Sequence, residues 1–186
     1  MSKPPENTIL RHDDRVVIGL GWNRKRSQGQ EHDLDLALAF VGADGKCAST
    51  GDLCFYQKGH KTIHGGAAIH HGDERIGAAE GDDERIDLAL SLVPPSVDRI
   101  VAIGSIYEAD ADGLTFGTVD GAYIRIATAG GRQIASCDLS EDASLASAIE
   151  FCELARMPHG WQVQVVNRAS ASGFSAVVAR YGFTGR

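Results

Sequence analysis

Hydrophobic and polar residues alternate with a period of two along much of the chain, which predicts a structure built mainly of β-strands. In 33–40 (DLDLALAF), three leucines and Phe40 share one face of the predicted strand, and Asp33 and Asp35 share the other with two alanines. The same pattern predicts strands over 15–20, 52–58, 85–92, 121–128, 131–139 and 161–166, and a near-continuous apolar run predicts a buried strand over 99–107. Residues 172–182 (SGFSAVVARYG) have instead the pattern of a short amphipathic helix.

Two segments are less regular. Residues 144–156 (SLASAIEFCELAR) have helical propensity, and the preceding Asp138-x-x-Glu141 resembles a capping box. A turn at 159–160 and alternation beyond it leave a strand–turn–strand arrangement equally open. Residues 59–84 are rich in glycine and polar residues without a sustained period, which predicts a long loop.

Short strands separated by turns indicate a mainly β fold, a two-sheet β-sandwich with a long acidic loop and a short C-terminal helix. The 186 residues suit one domain over 14–186, with 1–13 as a flexible tail. The net charge of −7 argues against a general nucleic-acid binder. No apolar run approaches the roughly 20 residues of a spanning helix, and no signal core begins the chain, so we expect a cytoplasmic protein.

Acidic residues are crowded into the glycine-punctuated segment 70–90. They are Asp73, Glu74, Glu80, Asp82, Asp83 and Glu84. Two carboxylates 4 Å apart repel by about 1 kcal/mol in bulk water and by about 4 kcal/mol at an effective dielectric near 20. Either the acids are spread through solvent, or a cation lies among them. Calcium takes six to eight oxygen ligands in irregular geometry, which such a loop can provide, and magnesium ranks second.

A second source of carboxylates is the predicted strand 33–40. Its alternation places Asp33 and Asp35 on one face, roughly 7 Å apart along the strand, opposite the leucines. We therefore expect these two residues and the acidic loop to converge on one or two Ca²⁺ ions. An EF-hand over 108–119 is excluded because Val119 stands where the bidentate glutamate is required.

Other chemistry has weaker support in the sequence. The four cysteines form no C-x-x-C pair, which is typical of core residues. His70 and His71 beside Asp73 provide a base and an orienting carboxylate for a metal-dependent hydrolase, but no nucleophile is identified. The basic run at 24–26 would suit a calcium-dependent module that docks on an anionic membrane surface.

Several motifs occur in the order seen in the TerD family of tellurium-resistance and stress proteins, which the chain resembles from about Arg15 onward. The motifs are VVIGLGW (16–22), HDLDLALAF (32–40), FYQ (55–57), HHGDERIGAAEGDDERIDLALSLVP (70–94), IYEADADGLTFGTVDGAYIRI (106–126), DLSEDAS (138–144), HGWQVQVV (159–166) and GFSAVVARYGF (173–183). The DLD strand with the acidic loop at this separation is the most specific combination. The resemblance favours strand rather than helix over 146–154.

This resemblance implies a β-sandwich whose acidic loop and DLD aspartates bind calcium. The implied ligand carboxylates are Asp33, Asp35, Asp73, Asp82, Asp83 and Glu84, with Gly77 as a carbonyl donor; Glu74 lies among them in the sequence. The expected function is that of a non-enzymatic stress-response module whose calcium-ordered loop presents a surface to a protein partner. The alternatives are membrane docking at the inner face of the membrane, and the hydrolase.

Overall fold

The computed structural model describes residues 8–23, 32–72, 81–109 and 113–183. Twelve strands lie within these residues. They are β1 (Thr8–Leu10), β2 (Arg15–Gly21), β3 (Leu34–Val41), β4 (Leu53–Cys54), β5 (Thr62–Ile63), β6 (Ala68–His70), β7 (Glu84–Ala89), β8 (Arg99–Ile106), β9 (Tyr123–Thr128), β10 (Gln133–Asp138), β11 (Ala148–Met157) and β12 (Gly160–Ser170). Two short α-helices accompany them, α1 (Leu139–Asp142) and α2 (Gly173–Ala179).

The strands form two antiparallel sheets of six strands each within the described residues, as the sequence predicts for a β-sandwich. Sheet I has the order β1-β12-β11-β8-β3-β4, and sheet II has the order β10-β9-β2-β7-β6-β5. The strand β3 of sheet I therefore faces β2 and β7 of sheet II across the core. Among the described residues, no helix is both long and apolar enough to cross a membrane.

The main core fills the space between the sheets, because the alternating aliphatic residues of both sheets point inward. On β3 these are the leucines and Phe40, with at most 1% of each residue exposed. A smaller second core lies on the outer face of sheet I, where α2 packs Val177 and Val178 against Ala37 and Ala39. The face of β3 that carries Asp35 is thus covered, and Asp35 is 9% exposed.

Most sequence-based elements are confirmed. The hairpin of β9 and β10 turns at Gly131, whose φ of +86° favours glycine. The side chain of Asp138 caps α1 by accepting a hydrogen bond from the Glu141 amide at 3.1 Å. The segment 144–156 forms strand β11 despite its helical propensity, because its side chains fill both cores.

Four sequence-based boundaries are corrected. The segment 59–84 is not wholly loop, since β5 and β6 lie within it; strands this short do not establish a period. The strand expected over 52–58 is reduced to β4. Leu92 does not continue the inward face of β7 but follows its end in a 3-10 turn, with 47% of the residue exposed. Finally, β1 lies within the segment 1–13, which was predicted as a tail, and it pairs with β12.

Candidate metal centre

The two acidic segments meet where β3 and β7 begin. Glu84, the first residue of β7, points between the sheets, and its side chain is 0% exposed. Its Oε2 accepts a hydrogen bond of 2.5 Å from the backbone N–H of Leu36, which belongs to the peptide joining Asp35 to Leu36. The neighbouring strand β4 pairs only with Leu38 and Ala39, so Glu84 binds the edge of β3 beyond the end of β4. This carboxylate therefore links sheet II to sheet I beside Asp35.

Trp22 provides a second connection between the same segments. Its backbone N–H donates to Asp83 Oδ2 at 2.8 Å, and its indole Nε1–H donates to the carbonyl oxygen of His32 at 3.0 Å. The amide of Asp83 in turn donates to the carbonyl of Leu20 at 2.9 Å. One tryptophan at the end of β2 thus fixes the start of β7 and the residue before Asp33. The sequence alone predicts no role for Trp22 in the site, although this residue ends the GLGW motif.

Asp33 and Asp35 lie at the beginning of β3. The carbonyl of Asp33 accepts a hydrogen bond of 2.8 Å from the Tyr107 amide, and Asp35 is paired with Ser105 in the register with β8. Both aspartates are largely shielded from solvent. The alternation expected from the sequence is present, and it directs these side chains to the outer face of sheet I at its β3 edge.

Asp82 points elsewhere, although it directly precedes Asp83. Its oxygens accept hydrogen bonds from Arg125 Nε at 2.7 Å and Arg125 Nη2 at 2.6 Å, and Oδ1 also accepts from the Tyr123 hydroxyl at 3.1 Å. The carboxylate lies against Gly19, and the Tyr123 ring lies against Gly21, where a Cβ atom would collide with each. The glycines of the GLG sequence therefore make room for an ion pair on the outer face of sheet II.

The pKa values of the two residues that donate to Asp82, Arg125 and Tyr123, are both raised. Hydrogen bonding to Asp82 raises the pKa of the Arg125 guanidinium. Burial, with the charge of Asp82, raises the pKa of Tyr123 to about 12. Each shift favours a protonated group beside an ionised Asp82. The structure therefore does not bring Asp82 together with Asp35 and Glu84.

His70 lies inside the sandwich and not in an open pocket. It is 4% exposed, and its Nε2 is 3.5 Å from Glu84 Oε2. Its Nδ1 accepts a hydrogen bond from the Gly72 amide at 3.3 Å, which leaves Nε2 to carry the ring proton toward Glu84. His71 is on the surface, with Nε2 2.9 Å from Asp87 Oδ2. The two histidines therefore point apart, and Asp73, the orienting carboxylate of the hydrolase alternative, lies outside the described residues.

The residues can be tested for their fit to calcium. Asp33, Asp35, Asp83 and Glu84 offer oxygen donors at one end of the sandwich, which suits a hard divalent cation. Within 8–23, 32–72, 81–109 and 113–183, however, no group of three or more His, Cys, Asp or Glu side chains is close enough to hold a metal ion. The described carboxylates fit calcium in chemistry but are not grouped closely enough to hold it by themselves. The predicted ligands Asp73, Glu74 and Gly77, like the basic run at 24–26, lie outside the described residues.

Comparison with known proteins agrees with this fold. The TerD domain model matches residues 7–181. The chain is 37% identical over 168 residues to tellurium resistance protein TerD of Serratia marcescens, covering 90% of this chain and 86% of that protein. It is 36% identical over 172 residues to general stress protein 16U of Bacillus subtilis (strain 168), covering 90% and 87%. The chain therefore belongs to the TerD family.

A solved structure supports the same architecture. The crystal structure of a homologue of telluride resistance protein (TerD) from Streptomyces coelicolor A3(2) superposes with a TM-score of 0.76. It covers 90% of this chain and 95% of that chain, with 22% sequence identity. At this identity the likeness concerns the fold alone.

Proposed function

We propose that this protein binds Ca²⁺ where β3 and β7 begin, and that it acts without catalysis in a stress response. The observation that supports the proposal is the hydrogen bond from the Leu36 amide to Glu84, which holds the DLD segment beside the acidic segment. Trp22 holds the same two segments through Asp83 and the carbonyl of His32. In this proposal Asp33, Asp35, Asp83 and Glu84 are ligands, and Asp73, Glu74 and Gly77 are further ligands taken from the sequence.

The proposed role of the ion is electrostatic. Bound calcium would supply positive charge to carboxylates that otherwise repel each other, and their oxygens would coordinate the ion. Because hydrogen bonds already fix Asp83 and Glu84, these residues need little reorganisation to accept it. A ligand that binds only the folded state stabilises it by about 2.7 kcal/mol at a hundredfold excess over Kd. The surface ordered in this way would then be presented to a protein partner.

The physiological setting is inferred from relatives. Those that match over most of their length are named tellurium resistance and general stress proteins. We therefore place this protein in a response to tellurite or another chemical stress. Its cysteines are poor candidates for redox chemistry, because burial raises the pKa of Cys54 to about 12 and keeps the thiol protonated. The proposal accordingly assigns the protein an ordering and binding role.

Calorimetric titration of calcium into protein freed of metal by EDTA and dialysis tests the binding. We expect a saturable isotherm with a Kd of micromolar order, as in sensor sites, and a higher melting temperature with calcium. The variant Asp35→Asn should weaken binding at least about tenfold. The matched variant Asp98→Asn, an exposed aspartate next to the opposite end of β3, should bind like the parent protein. Absence of binding heat together with an unchanged melting temperature would refute the proposal.

A further inference from the structure

A cavity of about 730 Å³ lies on the outer face of sheet I, on the side of β3 that does not face sheet II. Its floor is formed by β3 from Asp35 to Ala37, and one wall is formed by the first turn of α2. The other walls come from the segments 47–57 and 106–109. The volume falls within the range of about 300–1,000 Å³ typical of small-molecule sites. The cavity has no part in the calcium proposal except that Asp35 is among its lining residues.

Aromatic rings line much of this cavity. The Phe55 ring is 5.6 Å from that of Tyr56 in an edge-on arrangement and 6.2 Å from that of Phe174 on α2. Tyr56 in turn meets Tyr107 edge-on at 6.3 Å. These four rings come from three separate parts of the chain, and all four line the cavity. Tyr107 is 38% exposed and Tyr56 is half-buried, so ring surface remains available at the opening.

Two carboxylates and one histidine, His60, are the titratable acid and base groups of the lining beside its tyrosines and Cys47. Asp35 and Glu108 are both among the lining residues, whereas neither lysine nor arginine is among the described residues that line the cavity. Glu108 has a φ of +48°, a left-handed conformation that costs a non-glycine residue energy and is concentrated at functional sites. A cavity lined by aromatic rings and by two carboxylates is complementary to a positively charged organic group, which π faces and carboxylates both attract.

We propose that this cavity binds a small organic cation, with its charged nitrogen directed toward Asp35 and Glu108 and its apolar part against the rings of Phe55, Tyr107 and Phe174. The volume accommodates a ligand with one aromatic ring or a comparable aliphatic body. A neutral ligand of the same shape gains the ring contacts but not the charge attraction, and an anionic one is repelled by both carboxylates. The site therefore selects by charge among molecules of equal size.

Three probes of matched size test this selection: benzylammonium, benzyl alcohol and benzoate. Each is titrated into the ¹⁵N-labelled full-length protein in EDTA, and amide chemical shifts are followed by NMR. We expect saturable shifts with benzylammonium, centred on 106–109 and on Gly173 and Phe174. Benzyl alcohol should bind about tenfold more weakly, and benzoate should give no saturable shifts. Similar affinities for the three probes, or benzylammonium shifts centred elsewhere, would overturn the proposal.

Two variants identify the groups responsible. Glu108→Gln removes one charge and should weaken benzylammonium binding about threefold or more, while leaving benzyl alcohol unaffected. Tyr107→Leu should weaken both probes. The matched variant Glu141→Gln removes an exposed carboxylate on α1, outside the cavity, and should change neither affinity. If Glu108→Gln and Tyr107→Leu both bind benzylammonium like the parent protein, the assignment is wrong.

This test is independent of the calcium proposal. EDTA is present throughout, and neither Glu108 nor Tyr107 is a proposed calcium ligand. Failure of calcium binding would thus leave the expected probe affinities unchanged, and failure of probe binding would leave the calcium titration unchanged. Because the shift mapping uses the parent protein, it also remains decisive if a variant does not fold.

Discussion

Replacing Glu84 with alanine tests how the two sheets are joined at the candidate metal centre. The side chain is fully buried, and its Oε2 is bound to the Leu36 amide at 2.5 Å and lies 3.5 Å from His70 Nε2. Removing it leaves a backbone N–H buried beyond the end of β4, where no strand pairs with this part of the β3 edge in the described residues. If the Glu84 carboxylate mainly joins the sheets, Glu84→Ala will lower the free energy of unfolding even when calcium is absent.

The magnitude follows from two contributions. A buried donor left without its acceptor costs about 1–3 kcal/mol. Loss of the buried methylene adds about 0.8 kcal/mol, so we expect Glu84→Ala to lower the free energy of unfolding by about 2–4 kcal/mol. Glu84→Gln retains an oxygen that can accept from Leu36 and loses only the charge, which should cost about 1 kcal/mol. For a chain of 186 residues, 3 kcal/mol corresponds to a lowering of the melting temperature by roughly 10 °C.

Urea unfolding in EDTA, followed by tryptophan fluorescence, measures these differences without any contribution from metal. The control is Asp87→Ala on the same strand, whose side chain is 38% exposed and pairs with Arg85 on the surface. That variant should cost less than about 1 kcal/mol. If Glu84→Ala is no more destabilising than Glu84→Gln or Asp87→Ala, the link between the sheets does not depend on this carboxylate.

Three further predictions concern other groups. Arg125→Met should cost about 1–3 kcal/mol in urea unfolding, because Asp82 loses its bidentate partner, and Asp82→Asn in that background should restore part of the loss. The pKa of Tyr123 is raised from 10.0 to about 12. The protonated Tyr123 hydroxyl therefore contributes fully to the free energy of unfolding below pH 10, and this contribution is lost as the pH rises to 12. The variant Tyr123→Phe should make the free energy of unfolding depend less on pH over that window. Cys54 is buried, and its pKa is raised to about 12. Its thiol should therefore react with iodoacetamide at pH 8 at least about tenfold more slowly in the native protein than in urea-unfolded protein, as measured by peptide mass spectrometry. Equal urea midpoints, unchanged alkaline curves and equal labelling rates would contradict these predictions in turn.

Much of the fold could be predicted from the sequence because most strands are long enough to establish a period. β3, β8 and the β9–β10 hairpin were all expected from alternation or from continuous apolar runs. The short strands could not be recognised in the same way. β5 has two residues and β6 has three, so their identity depends on pairing with β7, which local sequence does not encode. The same holds for β1, which depends on β12.

The candidate site was predictable in part. Local alternation placed Asp33 and Asp35 on one strand face, and the acidic run identified the other segment. The sequence could not show that Trp22 connects the two, because its partners Asp83 and His32 are 61 and 10 residues away along the chain. Nor could it distinguish a carboxylate that satisfies a strand edge from one that is available to an ion, since both are acidic residues near the start of a strand.

The consecutive acids Asp82, Asp83 and Glu84 show why charge density alone is a poor guide to ligands. In a regular strand residues 82 and 84 would share a face, but Asp82 precedes β7, which begins at Glu84, and does not follow its alternation. Asp82 lies on the outer face of sheet II with Arg125, Asp83 meets the amide of Trp22, and Glu84 enters the core to reach β3. Each carboxylate has a separate protein partner, so adjacency in the sequence does not make the three residues one set of ligands. Calcium binding would then depend on the oxygens that remain at the β3 edge, which is why Asp35→Asn distinguishes the metal site from the scaffold more sharply than any substitution at 82.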